Sequence, residues 1–179
     1  GDIKNFFSSG SILRNLILIN VGVWIMISVL MVFAFLLSAS DGIIERAITE
    51  YLAVPAYIPT LFFRPWTLIT YMFLHINFFH ILFNMLWLFW CGQIFLQYLN
   101  SKQLLSVYIW GGLAGAFLYI LAYNIFPVFS TALPISKALG ASASVMAIVT
   151  AISFYVPTYT INLLFIGRVR ILYLAIALF

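Results

Sequence analysis

The segment Leu139-Gly140-Ala141-Ser142-Ala143-Ser144 opens an apolar run that ends at Val156, just before Pro157. From Ser142 the run has 15 residues. As a helix rising about 1.5 Å per residue it reaches about 22 Å, short of a hydrocarbon core about 30 Å thick. One of its ends must therefore lie below a membrane surface. If that is the serine end, a water-filled cavity has to come down to it, because unpaired polar backbone is not tolerated against lipid.

The rest of the chain makes lipid its natural solvent. Hydrophobic residues are 65% of 179 positions and charged ones 7%, against roughly 25% charged in soluble domains. The apolar runs are continuous and longer than the alternating segments of a barrel, so helices are expected. A first span is read from Arg14 to Ser38, a second from His75 to Leu99 and a third from Leu104 to Phe126, with Ser142 to Val156 as a shorter fourth. Asp2 to Leu13 reads as a short amphipathic lead-in. Residues 39–67 read as a long first loop holding Asp41, Glu45 and Glu50, with Tyr51 to Phe63 apolar enough to lie in the interface.

Pro157 to Arg170 reads as a partly polar connection. A single span from Thr158 to Phe179 would bury Arg168 and Arg170 near its middle, at about 2.5–3.5 kcal/mol each. A fifth span is therefore expected to start near Ile171. The fold class is all-α: a polytopic transmembrane bundle of four spans plus the start of a fifth, in one membrane domain over 1–179 that is expected to be truncated at its C-terminus.

The net charge of +4 comes from dispersed residues, so no basic stripe marks a nucleic-acid partner. Cys91 is the one cysteine, which excludes an internal disulfide. With the N-terminus inside, Lys4, Arg14, Lys102, Arg168 and Arg170 fall on the inner side. Arg46, Arg64 and Lys137 fall on the outer side, offset by three acids. That asymmetry predicts a cytoplasmic N-terminus, and it puts His80, Asn84 and Ser142 in one depth range near the outer side.

On a helix, His80 and Asn84 stand about 40° apart, on one face. His75, about 140° from His80 on the same helix, is expected to face elsewhere. Two histidines so separated do not chelate one metal from one regular helix, and the chain has no H-E-x-x-H motif, so no zinc ligand set is expected. The four acids avoid every span, which removes an aspartyl dyad and argues against a proton-relay transporter. His80 and Asn84 are both hydrogen-bond donors. Aimed at one point, together with the amides that start the fourth run, they would stabilise an oxyanion, with Ser142 as nucleophile and Gly140 leaving room for a substrate backbone. The same residue types also serve as packing between helices. Ser144, about 200° from Ser142, should face another helix. Gly111, Gly112 and Gly115 have close-packing spacing, and Trp66 reads as an interfacial anchor.

The chain resembles the rhomboid family of intramembrane serine proteases. The likeness runs through Arg64-Pro65-Trp66-Thr67, Phe73-Leu74-His75 and His80-Ile81-Leu82-Phe83-Asn84-Met85-Leu86-Trp87. It continues through Gly111-Gly112-Leu113-Ala114-Gly115 to Gly140-Ala141-Ser142. The resemblance implies a six-helix bundle with a shortened fourth helix, Ser142 as nucleophile, and His80, Asn84 and the Ser142 amide as oxyanion site. His75 and Gly140 take supporting roles. It also implies transmembrane protein substrates, a multi-pass protein of the cell membrane with its site opening outward, and no metal or cofactor. Ala143 departs from the glycine that often follows the serine in this family. The family's general base is a histidine on the sixth helix, whereas this chain runs only 37 residues past Ser142 and its histidines are His75 and His80. The base is therefore expected outside it, and the 179-residue chain alone is expected to be inactive. The alternative is a non-catalytic rhomboid-like protein that binds transmembrane clients without cutting them.

Overall fold

The computed structural model describes residues 12–37, 42–163 and 167–178. Most of the amphipathic lead-in, and residues 39–41 of the first loop, lie outside the described residues. Helix α1 covers Ile12–Leu36. After it come α2 (Ile43–Leu52), a short strand β1 (Val54–Pro55), α3 (Ile58–Phe63), the single turn α4 (Thr67–Thr70) and a 3₁₀ turn at Tyr71–Phe73. Then follow α5 (Phe78–Tyr98), α6 (Ser101–Ile125), β2 (Lys137–Ala138) and α7 (Ser142–Tyr155). A ribbon of β3 (Thr160–Leu163) and β4 (Gly167–Arg170) leads into α8 (Ile171–Leu178).

Three helices among the described residues, α1, α5 and α6, are long and apolar enough to cross a membrane. Their outer faces suit lipid: α1 leaves Phe33 and Phe35 exposed while burying Leu13, Leu16, Asn20 and Ile27. Helix α7, with 14 residues, is the short one and lies innermost, with Val145, Ile148, Val149 and Ile152 all buried. It packs on α5, α6 and α8. The α6–α7 seam is close because methyl groups are missing from one side. A Cβ on Gly111 would strike Ala147, and one on Gly112 would meet Met72 and Ser144. Ser144 is thus buried against α6, as its position on the helix requires. On the other flank Leu13 of α1 fills the space above Gly92.

The described part of the first loop differs from a loop reading, since 43–52 and 58–63 are helical. It is fastened to the segment before α7. Strands β1 and β2 pair antiparallel, Val54 opposite Ala138 and Pro55 opposite Lys137. The Glu50 carboxylate accepts from both Lys137 and Arg64. These two bases, Lys137 first, hold its carboxyl below the usual carboxylate range. Trp66, half exposed, donates its indole N–H to the Tyr51 carbonyl at 2.8 Å.

The start of the second span needs correction. Residues 75–77 are not part of the second span. The side chain of Asn77 caps α5, accepting from the amides of Phe79 (2.9 Å) and His80 (3.2 Å), so the helix starts at Phe78. The partly polar connection after Pro157 carries the strand pair β3 and β4. Its alternating Ile161 and Val169 pair across an antiparallel ribbon, a period of two that suits a half-buried strand pair.

Candidate active site

The turn that presents Ser142 is built from backbone bonds to the segment before α5. The Gly140 amide donates to the Tyr71 carbonyl at 2.8 Å, and the Ala141 amide donates to His75 Nε2 at 3.2 Å. Accepting through Nε2 requires the His75 tautomer with its proton on Nδ1. Tyr71 also donates its hydroxyl to the Gly112 carbonyl, tying the same turn to α6. Gly140 has φ +112°, a conformation side chains rarely adopt. A Cβ there would also lie 2.5 Å from His80 Cε1 and 2.8 Å from its Nε2. The imidazole of His80 therefore lies against the bare Cα of Gly140, and two separate constraints exclude any larger residue.

These contacts bring the head of α5 and the head of α7 together. A cleft of about 290 Å³ lies between them, lined by His80, Asn84, Trp87, Ser142 and Met146 among others. Ser142 is exposed, His80 half-buried and Asn84 buried. Asn84 Nδ2 donates to the His80 carbonyl one turn back at 2.8 Å. A primary amide carries two N–H bonds, so one remains for another acceptor. No side chain caps α7 at Ala141, so the amides of its first turn keep their partial positive charge. The arrangement suits an anion forming beside Ser142.

His75 does not face away. Because it precedes α5, its ring lies edge-on to His80, with centroids 5.1 Å apart and planes at 65°. Fully buried and bonded to the Ala141 amide, it supports the serine turn from below. Among the described residues no group of three or more His, Cys, Asp or Glu side chains is placed to hold a metal ion. Ala143 has a physical explanation in this fold. Its methyl occupies the space that a Cβ on Gly115 would need, so a glycine on α6 makes room for the alanine on α7. Sequence reasoning did not single out Tyr71, whose carbonyl and hydroxyl both hold the site. Nothing in its neighbourhood marks it apart from the many other tyrosines.

Comparison with known proteins identifies the family. The family model for the Rhomboid domain matches residues 63–179, from the end of α3 through α8. No curated protein matches the chain. The matched stretch is well over half of the chain and contains both heads of the cleft: this protein belongs to the rhomboid family.

Proposed function

We propose that the chain provides the serine and the oxyanion group of an intramembrane serine protease acting on transmembrane protein substrates. One observation carries the reading: Ser142, His80 and Asn84, from two helices far apart in sequence, line one cleft at the head of a helix too short to span. A substrate segment unwinds beside the cleft and presents a peptide carbonyl. Ser142 Oγ bonds to the carbonyl carbon as its proton passes to a base, and the carbonyl oxygen becomes the anion. His80, the second N–H of Asn84 and the Ser142 amide stabilise that anion. Collapse expels the amine, which takes the proton from the base, and water then hydrolyses the ester.

The resemblance assigns the base to a histidine on a sixth helix. Neither histidine of this chain is given that role, since Nε2 of His75 is engaged by Ala141 and His80 belongs to the oxyanion group. Residues 1–179 alone are accordingly proposed to leave a substrate intact. The charge distribution supports a cytoplasmic N-terminus and a cleft opening to the outer side, because Arg14, Lys102, Arg168 and Arg170 all gather at the end opposite Ser142. The test is Ser142→Ala in the full-length protein, assayed on a reconstituted transmembrane substrate. Cleavage should vanish, while Asn84→Ala should slow it without abolishing it. Persistent cleavage by the Ser142→Ala protein would show that another group is the nucleophile.

A further inference from the structure

The end of the bundle opposite the cleft has its own chemistry. The α5 C-terminus, the start of α6, the tail of α7 and the start of α8 all meet there. Tyr98 at the end of α5 contacts Tyr155 and Tyr159, with ring centroids 6.4 and 6.3 Å away. Clustered tyrosines at the ends of spanning helices mark the headgroup level of a bilayer. The β3–β4 ribbon leaves and returns at that level: Tyr159 directly precedes it, and the Ile171 amide that follows it donates back to the Tyr159 carbonyl at 2.9 Å.

The ribbon is two-faced. Thr160 pairs with Arg170 and Ile161 with Val169, and cross-strand partners point to the same side. Ile161 and Val169 are half-buried toward the bundle, while Thr160, Arg168 and Arg170 are exposed. Arg168 and Arg170 are two positions apart on one strand, so they share a face at a spacing of about 7 Å. Lys102, exposed in the first turn of α6, adds a further cation at this end. No carboxylate among the described residues lies here: Glu45 and Glu50 belong to α2, at the opposite end, where Glu50 is already paired.

We propose that the outer face of this ribbon is a binding surface for anionic phospholipid headgroups in the adjoining leaflet. Paired guanidinium groups at headgroup depth present forked donors to phosphate oxygens, which neutral surface side chains do not offer. The apolar face of the ribbon keeps those forks at fixed height by resting on the bundle. Lys102 extends the field without the fork geometry. The occupant is a lipid and not a soluble acidic chain, because the ribbon is rooted at both ends among the interfacial tyrosines.

The test reconstitutes the full chain in phosphatidylcholine bilayers and measures the motionally restricted fraction of spin-labelled phosphatidylglycerol against spin-labelled phosphatidylcholine. About a three-fold preference for phosphatidylglycerol is expected at low salt, falling toward one at about 1 M salt, where screening acts within about 3 Å. Arg168→Gln with Arg170→Gln should remove most of the preference, and the Arg→Lys pair should keep part of it. The salt titration of the unaltered protein tests the surface even if the Gln pair misfolds. No preference in the unaltered protein, a preference that survives high salt, or one that persists in a folded Gln pair and disappears with Lys102→Gln would each overturn the proposal.

Discussion

Both ends of α7 carry directed hydrogen bonds, but only the head adds a positive-φ glycine and a strand pairing, and only the tail leans on tyrosine rings. At its head a glycine with positive φ, two directed backbone bonds and the β1–β2 pairing fix one turn from three sides. At its tail the Ser153 hydroxyl donates to the Ile171 carbonyl at 3.3 Å, the Ile171 amide donates to Tyr159, and ring contacts of Tyr98 do the rest. Directed bonds define positions to fractions of an ångström and fail when one partner is lost. Rings and apolar faces tolerate sliding. The contrast suits the two proposals, since a nucleophile must be aimed and a membrane-facing ribbon need only be present.

The strongest way to break the contrast is at Gly140. Gly140→Ala should cost about 1–3 kcal/mol through backbone strain alone, with the collision against His80 added to it. Reversible unfolding in mixed micelles would measure this. An unchanged transition would mean that the head yields as readily as the tail. Next is His75→Ala, which leaves the buried Ala141 amide without its partner at about 1–3 kcal/mol. Hydrogen exchange at Ala141 should accelerate strongly, while that at Ile171 stays as it was. Equal acceleration at both ends would erase the distinction.

A smaller effect is expected from Glu50, which braces the head from the first loop. Its carboxyl lies below the usual range because of Lys137 and then Arg64. The unfolded chain therefore takes up the proton first as pH falls. The stabilisation is fully present above the ordinary carboxylate value and is lost as pH drops through the lowered folded one. Melting followed from pH 7 to pH 3 should decline less steeply for Glu50→Gln than for the unaltered chain, and parallel curves would remove the brace from the account. The smallest effect belongs to the tail. Tyr98→Phe keeps the ring contacts and should change stability by no more than about 0.5 kcal/mol. A larger loss would show that the tail depends on the Tyr98 hydroxyl as well as on its ring.

The long elements were legible because apolar runs record helix length directly. The run from Ser142 to Val156 became a helix over Ser142–Tyr155, and the span read from Leu104 became Ser101–Ile125, begun by a capping box of Asn100 and Gln103. The pairing of Ser142 with His80 and Asn84 followed from helix period and from which ends share a side. What failed lay where apolarity continues through a change of backbone. Phe73 to Phe79 holds few polar residues, so the break before Phe78 was hidden. Its one mark was Asn77, a good N-cap residue that went unweighed. In the ribbon, the arginines drew the reading toward insertion cost and away from the alternation of Ile161 and Val169. The link from Glu50 to Lys137 joins residues 87 apart, a separation no local pattern encodes.

The shortness of α7 has a consequence for how the molecule relates to its host membrane. The spanning helices α1, α5 and α6 have 25, 21 and 25 residues, so the lipid beside them meets a wall of full height and has no reason to thin. The missing length leaves the head of α7, with its cleft, as the floor of a well in the proposed reading. The floor of that well is measured from the tail of α7, whereas its rim follows the neighbouring leaflet. In a thicker membrane the rim rises and the floor stays, so under the proposed function a substrate would descend farther to meet Ser142. On that reading bilayer thickness acts as a dial on access to the serine, set by the host membrane and not by the chain.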